Sequence, residues 1–595
     1  MNFSSKKILI RFLIWKYKHV SERNFVYFLS ILVGLLAGLV TVTLKNITYF
    51  IQSLLEGKFI KDYQTTLYFI FPILGLLVVF IFQKYILKKQ ISHGITSTLF
   101  AISKRNGIIE RYKILASLIA APITAGFGGS VGLQGPAVST ASAIGANLSQ
   151  VFHMNTKTRM LLIGCAAAGA MSSMFKAPIA AIIFAVEIFS LDLAFASLIP
   201  LLLASISAVL MSYLFQGTHV LLGFELQDEF AIKDILFYVF LGLMTGIASI
   251  YFTKMYFLIT DFFKRIKNRM YKLIVGGIAI GIMLYFIPPL YGEGYSMINN
   301  LLDGNHIAAL GETPFDAYTD NIWVVIMLLT GVIIFKAIAM TTTFAAGGVG
   351  GIIIPTLFMG SALGNVIAKV INNIGLGFQV SESNFTLIGM TGLMAGVLHA
   401  PLTAIFLIAE ITGGYELFVP LMIVTAISFS VTKYFIPNSI YTSELAKKGQ
   451  LITHNKDNNV LMMMNLDKII ETNFKTISVE ANLGEILKKG VAKSTRNIFP
   501  IVNDEKEFLG IILLDDIRNI MFDTELYETT LVKELMHNAP DVIDYDKSSM
   551  PQIMKKFKES GAWNLPVIKE GKYYGFISKS KLLTVYRRKL IEVTH

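Results

Sequence analysis

The chain comprises 595 residues, 54% of them hydrophobic and 15% charged, with a mean hydropathy of +0.60. This composition describes an integral, multi-pass membrane protein. It leaves the formal net charge of +12 to topology and surface rather than nucleic-acid binding, and the lone Cys165 excludes a disulfide framework or a cysteine metal site. No Ser/His/Asp constellation stands out, so neither an enzyme, nor a metal, nor a required cofactor is expected.

Residues 1–24 carry Lys6, Lys7, Arg11, Lys16, Lys18 and Arg23 against only Glu22. By the positive-inside tendency this end is cytoplasmic, and it lacks the pattern of a cleaved signal peptide. Apolar runs follow at 26–44, 67–82, 114–127, 160–188, 194–215, 235–257, 273–287, 323–340, 352–371, 387–411 and 417–435. Several are too short, or too broken by Gly and Pro, for uniform spanning helices. The pattern predicts helices that tilt, re-enter and meet near the midplane.

Between the second and third runs lies Ser92-His93-Gly94-Ile95-Thr96. It reads either as an N-cap and loop or as a loop of donors, with Ser92 and His93 as candidate anion contacts. Next comes Gly128-Gly129-Ser130-Val131-Gly132-Leu133-Gln134-Gly135-Pro136, with four glycines and a proline in nine residues. Broken backbone survives in a membrane only where protein buries it or where it lines a wet cavity. Glycine permits close backbone approach, and the free N–H groups of the helix that follows make an anion site. Taken alone, the stretch reads equally as a hinge between helices.

The stretch has a partner in Gly347-Gly348-Val349-Gly350-Gly351-Ile352-Ile353-Ile354-Pro355. A second pair recurs in the same order, with Ala177-Pro178 running on to Glu187-Ile188 and Ala400-Pro401 running on to Glu410-Ile411. The membrane part, 25–450, therefore holds two structural repeats, about 25–215 and 235–436, separated by an extramembranous loop at 216–233. Interrupted segments at matching places in two halves point to a binding site at the midplane. Tyr441, beyond the last run, is either an interfacial belt tyrosine or a phenol facing the pore.

From about residue 451 the chain turns charged and soluble. Phe499-Pro500-Ile501-Val502 with Gly510 to Asp516 is echoed by Leu565-Pro566-Val567-Ile568 with Gly575 to Lys581. Each unit predicts helix, Pro-bearing strand, turn, strand and helix. They make two α/β modules, about 460–525 and 530–590.

These motifs, in this order, resemble the CLC family of chloride channels and proton-coupled chloride exchangers, and the tail resembles a tandem CBS pair. Gly132-Leu133-Gln134-Gly135-Pro136 is similar to the family's Gly-x-Glu-Gly-Pro, Ser92 to Thr96 to Gly-Ser-Gly-Ile-Pro, and Gly351 to Pro355 to Gly-x-Phe-x-Pro. Tyr441 falls where the family's pore tyrosine sits. The resemblance implies an all-α polytopic fold of two inverted repeats with re-entrant, broken helices, followed by the cytoplasmic α/β CBS pair. It also implies a homodimer with one pore per subunit. The anion is expected among the backbone at Gly132, Leu133, Gln134, Gly135, Ile352 and Ile353 and the Tyr441 hydroxyl, held by neutral donors without a buried countercharge.

The departures from the family pattern shape the expectation. Gln134 stands at the gating-glutamate position and cannot ionise, and Ile188 stands where exchangers carry their inner proton-transfer glutamate. Glu187 and Glu410 are expected at helix ends. In the tail the adenine-nucleotide pattern is incomplete, since one module keeps Asp516 but has Leu513 and the other keeps Ser578 but has Lys581. An adenine nucleotide stays a candidate ligand there. The expectation is passive transport of chloride and similar anions, without proton coupling and regulated by the CBS pair. The alternatives are a proton/chloride exchanger whose gating glutamate has been replaced, and a CBS-regulated cation transporter. The latter needs clustered intramembrane carboxylates, and the apolar runs offer few beyond Glu187 and Glu410.

Overall fold

The computed structural model describes the chain apart from residues 1–10, 12–13, 56–63, 92–93, 190–194, 219–221, 223–231, 312, 314, 316–317, 376, 448–460, 462–463 and 595. It forms two compact units, Met1–Lys448 and Gly449–His595.

Among the described residues, nine helices of the first unit are long and apolar enough to cross a membrane, from Glu22–Leu55 to Phe418–Ala446. Tyr112–Gly126, Pro178–Phe189 and Pro401–Ile411 are shorter. At about 1.5 Å per residue a helix of that length covers only about 16–23 Å of a hydrocarbon layer roughly 30 Å thick. Helices this short stop inside such a layer, where only protein or a wet cavity can receive their ends. The order of elements repeats as an inverted pair. In the first half the broken pair Tyr112–Gly126 and Gln134–Val151 precedes Thr156–Phe175, Pro178–Phe189 and Phe195–Gln216. In the second, Ile322–Ala345 and Ile353–Asn373 precede Glu382–Leu398, Pro401–Ile411 and Phe418–Phe435.

Small residues bring the helix backbones together, as expected where lipid tails compete with apolar side chains. A Cβ on Gly34 would lie 2.3 Å from the Ala204 carbonyl oxygen, and one on Gly364 would lie 1.9 Å from that of Phe385. Gly360 and Gly389 face each other, so a Cβ on either would meet the other's carbonyl oxygen at 2.5 or 2.4 Å. The Ile353–Asn373 and Glu382–Leu398 helices are buried along almost their whole lengths. They form the centre of the unit.

The second unit holds two sheets of matching design. In one, β2 (Ile477–Ser478) runs parallel to β3 (Ile498–Val502), which pairs antiparallel with β4 (Phe508–Leu513). In the other, β5 (Ile543–Asp544), β6 (Asn564–Lys569) and β7 (Lys572–Ser578) repeat that arrangement, and β1 (Ile470–Glu471) adds to the edge of β7. The register slips at Ile501/Val502 and at Val567/Ile568, the same place in each module. The short parallel strands β2 and β5 were not predicted from sequence, because two-residue strands leave no periodicity to read. Pro500 and Pro566 each sit one residue before that parallel pairing begins, so their missing N–H groups interrupt no ladder bond on that side. Phe474, Ile498, Ile511 and Phe576 form a shared core joining residues of both sheets.

Candidate functional site

The two glycine stretches are bound to each other. Gly128 and Gly347 adopt φ of +89° and +107°, a region closed to most side chains, and turn the chain out of the preceding helices. The Gly129 and Gly348 amides then bond back to the Thr124 and Thr343 carbonyls at 2.8 and 2.9 Å. The hydroxyls of those threonines cross over. Thr124 Oγ1 accepts from the Val349 amide at 3.0 Å, and Thr343 Oγ1 accepts from the Ser130 amide at 3.3 Å. Gly132 and Gly351 close the knot, each amide donating to the other's carbonyl, at 3.0 and 2.6 Å. Every contact has its mirror in the other repeat.

This knot sets two helix N-termini side by side. Gln134 and Gly135 open one helix and Ile353 and Ile354 the other, and first-turn amides have no intrahelical acceptor. Pro136 and Pro355 take the third positions, where a missing N–H costs nothing. The approach depends on glycine. A Cβ on Gly135 would lie 2.9 Å from Gly351 Cα, and one on Gly94 would lie 2.6 Å from the Gly135 carbonyl oxygen. Two positive helix ends thus meet in a buried place. Gln134, Gly135, Leu133, Ile352 and Ile353 are all buried there. Tyr441, on the Ile440–Lys447 helix, is 4% exposed and its hydroxyl has no partner among the described residues. It is therefore an interior residue rather than an interfacial one.

Glu187 and Glu410 extend the exchange between repeats. Glu187 accepts from the Leu402 and Thr403 amides at 3.0 and 2.8 Å and from the Thr403 hydroxyl at 2.6 Å. Glu410 accepts from the Ile179 and Ala180 amides at 3.1 and 2.9 Å. Each carboxylate caps the start of the helix that carries the other. Ile188 is buried beside Glu187 and brings no titratable group. Ser92 and His93 lie outside the described residues.

Charged side chains are also buried near one of these helix ends. Glu293, 7% exposed in the loop before Tyr295–Leu302, accepts from the Leu133 amide at 3.0 Å. The Gln134 side chain lies beside that carboxylate, and its Nε2 donates to Tyr295 Oη at 2.8 Å. Gln134 is fully buried, and its Oε1 finds no partner among the described residues. Two lysines, Lys45 and Lys336, are buried in the same unit. Lys45 Nζ donates to the Met174 carbonyl at 2.9 Å, and Lys336 Nζ donates to the Gly292 carbonyl at 3.4 Å while lying 4.2 Å from the Phe358 ring centroid. The sequence carries a faint trace of this cluster. Glu293 stands between two glycines within an apolar region, and Lys336 interrupts the apolar run 323–340. Intramembrane ionisable residues are functional candidates by default.

In the tail, both nucleotide candidates are engaged locally. Asp516 accepts from the Leu513 amide at 2.7 Å and pairs with His537 at 3.0 Å. Ser578 donates to Glu471 at 3.2 Å and accepts from the Lys581 amide at 3.2 Å, while Glu471 also holds Arg496 at 2.6 Å.

Comparison with known proteins adds three findings. Residues 74–433 match the profile of the voltage gated chloride channel family, and residues 466–523 and 532–588 match CBS domains. A putative chloride channel protein, ClcB-like, from Ralstonia nicotianae is 27% identical over 381 residues, covering 63% of this chain and 85% of the relative. Among solved structures, a slow cyanobacterial Cl-/H+ antiporter superposes with a TM-score of 0.62 at 19% identity, over 72% of this chain and 98% of the other. A eukaryotic CLC transporter superposes with a TM-score of 0.59 at 18% identity, over 94% and 99%.

Proposed function

The chain belongs to the voltage-gated chloride channel family, and from that premise we propose that it moves chloride and similar small anions passively across the membrane. The carrying observation is the pair of helix N-termini locked together at Gly132 and Gly351, with the buried Tyr441 hydroxyl lacking a partner among the described residues. Fixed partial charges of this kind replace an anion's hydration yet release it. Gln134 cannot ionise, so it neither blocks the pathway as an anion nor passes protons. Ile188 offers no inner proton carrier. Both absences favour uncoupled flux over exchange.

In this reading the protein is a homodimer with a pathway in each subunit and both termini on the cytoplasmic side, and it performs no covalent chemistry. The CBS pair adjusts flux and takes an adenine nucleotide only at partial sites. The bonds of Asp516 and Ser578 within the tail support regulation through module packing more than through a ligand.

Chloride efflux from liposomes, recorded together with proton movement, tests the proposal. Expected are chloride flux without stoichiometric protons in the chain as it stands, slower flux in Gln134→Glu, and weaker anion binding in Tyr441→Ala. Unaltered flux and binding in both variants would remove the pathway from this place.

A further inference from the structure

We propose that the Leu133 amide is an outer anion subsite that Glu293 fills when no mobile anion does, so that Glu293 is a tethered competitor supplied by the second repeat. The proposal rests on the anion pathway inferred above. Its basis is geometric. The Leu133 N–H immediately precedes the Gln134 helix, and a carboxylate oxygen stands on it at 3.0 Å. A carboxylate oxygen bound to a backbone amide at a positive helix end is itself a bound anion. Charge and ligand type are what a transported anion would present at the same place.

The surroundings show a site built around that carboxylate. Gly292 and Gly294, with φ of +58° and +88°, bend the loop so that Glu293 reaches inward. The loop backbone is held on both sides. Tyr291 Oη donates to the Gly126 carbonyl at 2.6 Å, and Lys336 donates to the Gly292 carbonyl. A Cβ on Gly294 would meet Phe358 at 2.4 Å. With the backbone anchored, only the Glu293 side chain is left to leave the amide. Four titratable groups interact electrostatically with it: Lys45 and Tyr49 from the Glu22–Leu55 helix, Lys336 from the Ile322–Ala345 helix, and Tyr295 from the helix that follows its loop. Two lysines against one carboxylate leave an excess positive charge when Glu293 withdraws or takes a proton. That excess favours an anion in its place. Gln134 Oε1, buried and without a partner among the described residues, marks the same pocket as incompletely satisfied by the groups now in it.

Competition for one amide has a definite sign. When chloride takes the Leu133 amide, the displaced carboxylate loses its hydrogen bond and protonates more readily. Chloride binding therefore takes up protons, and affinity and flux rise as pH falls.

The test uses the full chain, reconstituted for flux and in detergent for binding. Expected are chloride efflux that increases on acidification in the native chain, and efflux in Glu293→Gln that is raised at neutral pH and has lost this dependence. Titration calorimetry of chloride binding in buffers of different ionisation enthalpy is expected to show proton uptake in the native chain. This measurement stands even where Glu293→Gln does not fold. Equal pH dependence in both chains, or binding without proton uptake, overturns the competitor role and leaves the anion pathway intact. No chloride flux or binding in the native chain overturns the pathway itself and this proposal with it.

Discussion

Glu187 and Glu410 illustrate how one residue secures a membrane fold. Each carboxylate accepts backbone amides at the start of a helix from the other repeat. In a layer without water, those donors have no substitute partner. Replacing Glu187 with Ala leaves two amides and a hydroxyl without their acceptor. The expected loss is about 1.5–3 kcal/mol, the range for a hydrogen bond to a charged group. Glu187→Gln keeps an acceptor oxygen, so its loss should be smaller. Thermal unfolding in detergent checks both, and equal apparent midpoints for all three chains would remove the capping role. A helix-end role for these glutamates was legible, since each stands near the end of a short apolar helix. Their exchange between repeats was not, because residues far apart in sequence meet only after the two halves interlock. Glu293 was missed for the same reason. A lone carboxylate between glycines reads as loop surface until the fold closes the Gln134 helix over it.

At the scale of the element, the interruptions in the two helices are the design. Gly128 and Gly347 turn the chain, Thr124 and Thr343 bind the opposite loop, and Gly132 and Gly351 exchange paired hydrogen bonds. No side chain fits between Gly135 and Gly351, where an added Cβ comes within 2.9 Å of backbone. Gly135→Ala should therefore force the two N-termini apart at a cost of about 1–3 kcal/mol, the usual range for overpacking. Gly331→Ala serves as the comparison for crowding, since no heavy atom lies within 4 Å of its Cβ position and its φ is not positive. Flux and anion affinity should fall in Gly135→Ala and stay near the native values in Gly331→Ala. If the two variants behave alike, the close approach of the helix ends does not shape the site. The glycine and proline spacing announced this element in sequence. That the two stretches bond to each other, rather than each to a distant partner, is a property of the folded pair.

For the whole molecule, the division at Lys448 and Gly449 separates two kinds of stability. The membrane unit rests on close backbone packing and hydrogen bonds that lipid cannot replace. The tail rests on ordinary apolar cores, one in each module and a third shared between them. Because those cores are closed by tail residues, a fragment of residues 449–595 should fold alone and unfold cooperatively in urea, followed by circular dichroism. Arg496→Ala removes the partner of Glu471, which also accepts from Ser578, and should lower that fragment's stability by about 1 kcal/mol or more. A fragment without a cooperative transition would show that the tail needs the membrane unit.

Sequence alone determined the membrane class, the two repeats, the broken helices at Gln134 and Ile353 and the paired modules of the tail. These are encoded locally, in hydropathy and in the spacing of glycine and proline, and local pattern is what a linear reading detects. Tertiary structure alone decided that the glycine stretches lock together, that Glu187 and Glu410 trade helices, and that Glu293 binds the amide before Gln134 while Lys336 holds the carbonyl beside it. Hydrogen bonds and buried charge depend on distances through space, and only the closed fold sets those distances.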